Sequence, residues 1–172
     1  MQPNVLMLLL SIGWAGAGLA QTPSPLASVA EPTATCVAAA KTGADRAACV
    51  GRAADACLAA VKGATEVDAA VCLNTEAEWW AAQMEPAYAA AQERAVKLDR
   101  IFAKAIKQGA PRMTDDLALM QTAWKDWSEK RCILEAMRSR GKLDRTVKAS
   151  TCMLRVTADQ VLLLQAVAAN ER

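Results

Sequence analysis

The chain has no histidine, one tyrosine and one phenylalanine among its 172 residues. Histidine is a leading general base and zinc ligand in proteins, so its absence removes most catalytic and metal-binding constellations. No C-x-x-C pair and no G-x-S-x-G motif is present either. We therefore expect no catalytic, cofactor-binding or metal-binding residues and no cofactor. The protein is predicted not to be an enzyme.

Neither sign of charge dominates, because 20 Lys and Arg residues face 18 Asp and Glu residues, which leaves a net charge of +2. The basic residues are interspersed with acidic ones, so the sequence gives no electrostatic footprint for a nucleic-acid partner. Long apolar runs are missing beyond the first segment of the chain, which predicts no membrane span in the mature protein. Alanine is abundant and aromatic residues are few, which favours helices over strands.

The N-terminal segment resembles a secretory leader. An apolar run over residues 5–17 is followed by Gly-Leu-Ala, whose small residues suit a signal peptidase. The sequence predicts a signal peptide over residues 1–20, a disordered linker over 21–35 and one helical domain over 36–172. A membrane anchor is the alternative, but the run is short of the ~20 residues that span a bilayer. The protein is expected in the periplasm or secreted.

Six cysteines follow the leader, and in an oxidising compartment they are expected to form disulfides. Each successive pair flanks a glycine, namely Gly43, Gly63 or Gly141. Six cysteines allow fifteen connectivities, but only one joins every cysteine across a local hairpin of two helices. It pairs Cys36 with Cys49, Cys57 with Cys72, and Cys132 with Cys152. The fold class is therefore predicted to be all-α, a bundle of antiparallel helical hairpins stapled by three disulfides.

Local signals divide the domain into helices. We expect one continuous helix over about 45–62, and a second that begins at Thr65 with Asp68 in a capping box. Pro86 predicts a kink in that helix, since proline removes a backbone hydrogen bond. Thr114 is predicted to cap the next helix, which would bury a stripe that includes tryptophan.

Two groups of residues could carry a function. The mature chain has four tryptophans, Trp79, Trp80, Trp124 and Trp127. A sugar-stacking platform is one interpretation, and core packing at helical spacing is the one we favour. The carboxylates Glu76 and Glu78, or Asp115 and Asp116, could form an acid–base pair for glycoside hydrolysis. Sequence neighbours diverge around a helix, which argues against such a pair.

Three motifs resemble a known family. They are C-L-x-x-E-x-x-x-W-x-x-x-M-x-x-x-Y from Cys72, Q-x-A-W-x-x-W-x-x-x-x-C from Gln121, and C-x-x-x-x-T-A from Cys152. Their order and spacing resemble the LprI-like lysozyme-inhibitor N-terminal domain, found in small exported helical proteins of bacteria. The residues that match the family motifs are Glu76, Trp80, Tyr88, Gln121, Trp124, Trp127 and Thr157. The resemblance extends over about residues 36–164.

The resemblance implies an exported binding protein that blocks lysozyme by occupying its active-site cleft. A partner other than lysozyme is the alternative, in an envelope stress or structural module, and an enzyme acting on cell-wall glycans is the interpretation the residues favour least. The family usually has arginine where this chain has Ser128 and Gln160. The two arginines would have formed one buried polar network, replaced here by neutral partners, unless the positions are exposed and have drifted.

The predicted leader can be tested by mass. If it is cleaved after residue 20, the exported protein begins at Gln21, and alkylation of the unreduced protein labels no thiol. Intact-mass spectrometry of the exported fraction measures both properties. A mass that includes residues 1–20 would contradict the cleavage.

Overall fold

The computed structural model describes residues 29–170, which form helices joined by short turns. The predicted signal peptide and most of the predicted linker lie outside the described residues. In chain order the helices are α1 (Glu31–Ala39), α2 (Gly43–Ala47), α3 (Arg52–Ala60), α4 (Glu66–Ala82), α5 (Met84–Ile101), α6 (Ala103–Lys107), α7 (Met113–Arg138) and α8 (Arg145–Ala169). No strand occurs over this range, so the predicted all-α fold class is confirmed.

The C-terminal helix α8 is the centre of the bundle. It packs against α4, α5 and α7, and α2 also contacts it, while α3 covers α4 and α1 covers α3. Leu154, Val161 and Leu164 of α8 are buried and meet Trp80 of α4 in the main core. The buried residues of α5 are all small, Ala87, Ala91 and Ala95, while Met84 and Tyr88 pack half-buried against the same core. The spacing of four residues between the alanines places a smooth face on α5 that lets its backbone approach its neighbours closely.

The three predicted disulfides are present: Cys36–Cys49, Cys57–Cys72 and Cys132–Cys152. No free cysteine remains in the described part of the chain. Gly141, in the turn between α7 and α8, has a φ of +81°, the left-handed conformation that the hairpin argument requires. Each bridge closes a loop of 13 to 20 residues, which contributes about 3 kcal/mol in the chain-entropy model.

The domain begins earlier than the sequence predicted. The linker was expected to run to residue 35, but α1 begins at Glu31. Pro32 lies in the first turn of α1, where its missing N–H costs nothing. Ala30 and Thr33 are fully buried, so this part of the expected linker is part of the core.

The helix predicted over 45–62 is in fact two helices. The break falls at Gly51, whose φ of +100° is accessible to glycine and strained for other residues. Gly51 is the N-cap of α3, and because glycine has no side chain it cannot accept a hydrogen bond from the first turn. The acceptor comes instead from a distant carboxylate, described below, which sequence spacing does not reveal.

The start of α7 also differs from the prediction. Thr114 lies inside the first turn rather than at the cap, and the acceptor comes from Asp99 of α5. Asp99 accepts the backbone N–H of Met113 at 2.8 Å and of Thr114 at 3.2 Å, and the Thr114 hydroxyl at 2.7 Å. The capping box of Thr65 and Asp68 forms as predicted. The expected kink near Pro86 is a break at Gln83, between α4 and α5.

By length and composition α8 could cross a membrane, whereas the sequence predicted no membrane span in the mature protein. Core helices of globular proteins pass the same test, and α8 carries more buried residues than any other helix described. Some of these are polar, including Ser150, Thr157 and Gln160. Its packing against three other helices is that of a core helix.

The cap on α7 predicts an acid-sensitive contribution to stability. The hydroxyl of Thr114, with the two N–H donors, holds the pKa of Asp99 below its ordinary value of 3.8. A lowered folded-state pKa stabilises the fold above pH 3.8, and the contribution is lost as pH falls through the folded value. Asp99→Ala should therefore lower the urea midpoint at neutral pH, and its difference from the wild type should narrow in acid.

The matched control is Asp126→Ala, which removes an exposed aspartate from α7, the helix that Asp99 caps. Its urea midpoint should stay close to that of the wild type at every pH. If the difference in urea midpoint between the wild type and Asp99→Ala is the same at about pH 6 and at about pH 2, the cap does not depend on the charge of Asp99.

Candidate functional site

Among residues 29–170, the charged side chain most enclosed by the fold is that of Glu76 on α4, which is 1% exposed. Its Oε1 accepts the N–H of Gly51 at 2.8 Å and the Thr33 hydroxyl at 2.9 Å, and its Oε2 accepts the N–H of Ala54 at 2.8 Å. The indole N–H of Trp80 lies 3.3 Å from Oε1. Both carboxylate oxygens are thus held by donors from α1, α3 and α4.

The location of Glu76 follows from the unpaired N–H groups at the start of α3. The first turn of a helix has backbone donors without partners and a partial positive charge, which a carboxylate satisfies. Thr33 completes the arrangement, because its Oγ1 accepts the N–H of Ala53 at 3.0 Å. Glu76 and Thr33 together cap α3 from two other helices.

This geometry contradicts the acid–base interpretation of the carboxylates. Glu76 is enclosed by donors that hold it in place, while Glu78 is exposed two residues further along α4. Asp115 and Asp116 are exposed in the first turn of α7, where they suit the helix dipole. In the described range of residues 29–170, no cluster of three His, Cys, Asp or Glu residues is arranged to hold a metal ion.

The remaining family-motif residues fall into two environments. Trp80, Gln121 and Thr157 are buried, Tyr88 is half-buried against the core, and Trp124 is half-buried on α7. Gln121 of α7 accepts the side-chain N–H of Gln160 of α8 at 2.8 Å. Most of the motif residues therefore lie in the interior of the bundle, and Trp127 lies on its surface.

Ser128 and Gln160, which stand where the family has arginine, are both buried. Drift at exposed sites is therefore wrong as an explanation for their replacement. The two neutral side chains do not bond each other, because the hydroxyl of Ser128 donates to the carbonyl of Lys125 in its own helix at 3.1 Å. Gln160 bonds Gln121 instead. Each neutral side chain satisfies its own hydrogen bond locally.

An apolar groove lies between α7 and α8, with a volume of about 460 Å³. Its lining residues are Met120, Ala123, Trp124, Trp127, Gln160 and Leu163. Trp127 is 51% exposed and Leu163 is 47% exposed. The guanidinium of Arg131, one turn further along α7, lies 5.0 Å from the centre of the Trp127 ring, a cation–π distance.

Core packing, the interpretation favoured from the sequence, holds for Trp80 and is wrong for Trp127. The rings of Trp79 and Trp80 lie edge to face with their centroids 4.9 Å apart, and Trp80 is fully buried. The buried stripe of α7 runs through Gln121, Ser128 and Cys132, and Trp127 is turned about 100° from Ser128 around the helix. The spacing of three and four residues that linked Trp127 with Trp124 therefore follows the edge of the buried face and not its centre.

The comparisons with known proteins agree with the motifs. The family model described as lysozyme inhibitor LprI matches residues 57–164, which include the end of α3, all of α4 to α7 and most of α8. The chain belongs to the LprI family. A protein of Rhodobacter capsulatus, described as an uncharacterized 17.7 kDa protein in the puhA 5′ region, is 42% identical over 163 residues and 95% of each chain. No solved structure matches this LprI-family chain.

The buried carboxylate predicts a large stability difference between two neighbouring glutamates. Glu76→Ala leaves the N–H groups of Gly51 and Ala54 buried without acceptors, which should lower the free energy of unfolding by about 3 kcal/mol or more. Glu78→Ala, the exposed control on the same helix, should change it by less than about 0.5 kcal/mol. Urea unfolding with the disulfides intact measures both. Equal midpoints for the two variants would contradict the structural role of Glu76.

Proposed function

We propose that the protein is an exported lysozyme inhibitor that binds the enzyme through the groove between α7 and α8. The observation that carries the proposal is membership of the LprI family over residues 57–164. The three disulfides support export, because such bridges persist in oxidising compartments outside the cytoplasm. The periplasm or the surrounding medium is the corresponding location.

The groove has the composition of a protein-binding surface. Exposed tryptophan and arginine are the side chains that most often dominate binding energy at interfaces. Trp127 and Arg131 stand together here, beside the apolar side chains of Trp124 and Leu163. Apolar area of this kind, open on a folded domain, is stabilised when a partner covers it.

The active-site cleft of lysozyme offers complementary chemistry. That cleft binds sugar rings and carries two carboxylic groups that perform glycoside hydrolysis. An indole can occupy a subsite for a sugar ring, and the guanidinium of Arg131 can pair with a carboxylate of the cleft. Trp127 and Arg131 would thereby block the cleft with one aromatic and one cationic group.

Long-range electrostatics contribute little to this association. The net charge of +2 gives no attraction toward a strongly cationic enzyme. The affinity should therefore depend on contacts made at close range, and inhibition should change little between low and moderate salt.

The test is a titration of the purified, oxidised protein against lysozyme acting on cell-wall substrate. The wild type should inhibit to completion, and Trp127→Ala should raise the concentration for half-inhibition by about 30-fold or more, the loss typical of an interface hot spot. Because Trp127 is half exposed, the substitution should leave the unfolding midpoint nearly unchanged.

Leu119→Ala is the matched control, since it removes another exposed apolar side chain of α7 that does not line the groove. It should inhibit as the wild type does. Full lysozyme activity at a large excess of wild-type protein would refute the function and favour an envelope interaction module. If Trp127→Ala inhibits lysozyme as well as the wild type does, the protein is an inhibitor but does not bind the enzyme through this groove. Glycan hydrolysis by the protein alone would favour an enzyme.

A further inference from the structure

We propose that the end of α5 together with α6 is a docking surface for anionic phospholipid bilayers. This inference does not depend on lysozyme inhibition. The surface, called here the basic end, comprises the cations Lys97, Arg100, Lys104 and Lys107 and the apolar residues Val96 and Ile101. All six are exposed.

Charge is concentrated at the basic end although the whole chain is nearly neutral. From Arg94 to Arg112 the sequence has six Lys and Arg residues and one acidic residue, Asp99. The Asp99 carboxylate is occupied by the first turn of α7, as its bonds to Met113 and Thr114 show. It does not neutralise the exposed cations, which leaves the segment strongly positive.

The four exposed cations are also without close counter-ions. Among residues 29–170, no carboxylate lies within ion-pair distance of Lys97, Arg100, Lys104 or Lys107. The neighbouring acids are Asp115, which pairs with Arg112 at 3.9 Å, and Glu93, which lines a groove with Lys97 and Arg100. One free carboxylate beside four cations leaves the surface with an excess of positive charge.

The helical spacing places these cations on one side. Lys97, Arg100, Lys104 and Lys107 follow each other at intervals of three and four residues, the spacing of a single helix face. Two adjoining grooves of about 640 and 360 Å³ run along them and share Val96, Arg100 and Thr114. A row of cations beside a shallow groove suits the phosphates of several headgroups.

An exposed apolar side chain next to the cations favours a bilayer over a soluble anion. Ile101, the last residue of α5, is 70% exposed and follows Lys97 by four residues, which makes the two side chains neighbours on the helix surface. The main packing neighbour of α6 is α5, so this corner projects from the bundle. Basic residues around projecting apolar ones are the composition of surfaces that lie at the headgroup level of anionic membranes.

The basic end and the lysozyme-binding groove are separate on the molecule. Thr114 borders the basic end and Trp127 borders the groove, and 13 residues of α7 between them correspond to about 20 Å of helix. A bilayer and a protein partner could therefore be held at the same time. An inhibitor held at a membrane would protect the envelope at the place where lysozyme acts on it.

Sedimentation with lipid vesicles tests the proposal with the exported, oxidised protein. Vesicles that contain phosphatidylglycerol should bind it, vesicles of phosphatidylcholine alone should not, and added salt should weaken binding. Lys104→Gln with Lys107→Gln should weaken binding by about 25-fold, at about fivefold for each cation near the surface. Ile101→Ser should weaken it by about tenfold.

Two controls match these variants. Lys125→Gln with Lys142→Gln removes two exposed lysines outside the basic end, and Leu119→Ser removes an exposed apolar residue from α7. Both should bind as the wild type does, and thermal unfolding should confirm that every variant is folded. The proposal is overturned by equal binding to neutral and anionic vesicles, by binding to DNA or heparin without binding to vesicles, or by loss of binding in the controls alone.

Discussion

A carboxylate with almost no contact with water fixes the arrangement of three helices. Glu76 of α4 accepts donors from Thr33 of α1 and from Gly51 and Ala54 at the start of α3. If any of these helices shifts, buried donors lose their acceptors, which costs free energy without compensation from solvent. The Cys36–Cys49 and Cys57–Cys72 disulfides hold the same helices from either side. The hydrogen bonds to Glu76 set how the three helices are arranged, and the disulfides reduce the conformational entropy of the unfolded chain.

This arrangement also connects the family domain to the segment before it. The family match begins at residue 57, whereas Thr33, Gly51 and Ala54 all precede it. Glu76 lies within the matched region and receives three of its four donors from outside. The N-terminal helices are therefore part of the same core, and a fragment that begins at residue 57 would leave the carboxylate of Glu76 without three of its four donors.

Local signals in the sequence identified those parts of the fold that local interactions determine. The capping box of Thr65 and Asp68, the hairpin disulfides and the all-α class all depend on residues near each other in the chain. The starts of α3 and α7 could not be found this way, because their acceptors are Glu76 and Asp99 on other helices. A capping residue that is distant in the chain leaves no signature in the local spacing of residues. Local spacing alone therefore predicts one continuous helix through Gly51.

The exposed tryptophan has a physical explanation in the connections between α7 and α8. The hydrogen bond from Gln160 to Gln121 joins the two helices on one side of Trp124 and Trp127, and the Cys132–Cys152 disulfide joins them on the other. Between these two links the helix backbones cannot separate or close over the indoles. A surface held rigid in this way loses little conformational entropy when a partner covers it, so more of the contact energy remains as affinity. The buried glutamine pair thus supports the groove, although Gln121 itself lies beneath its surface.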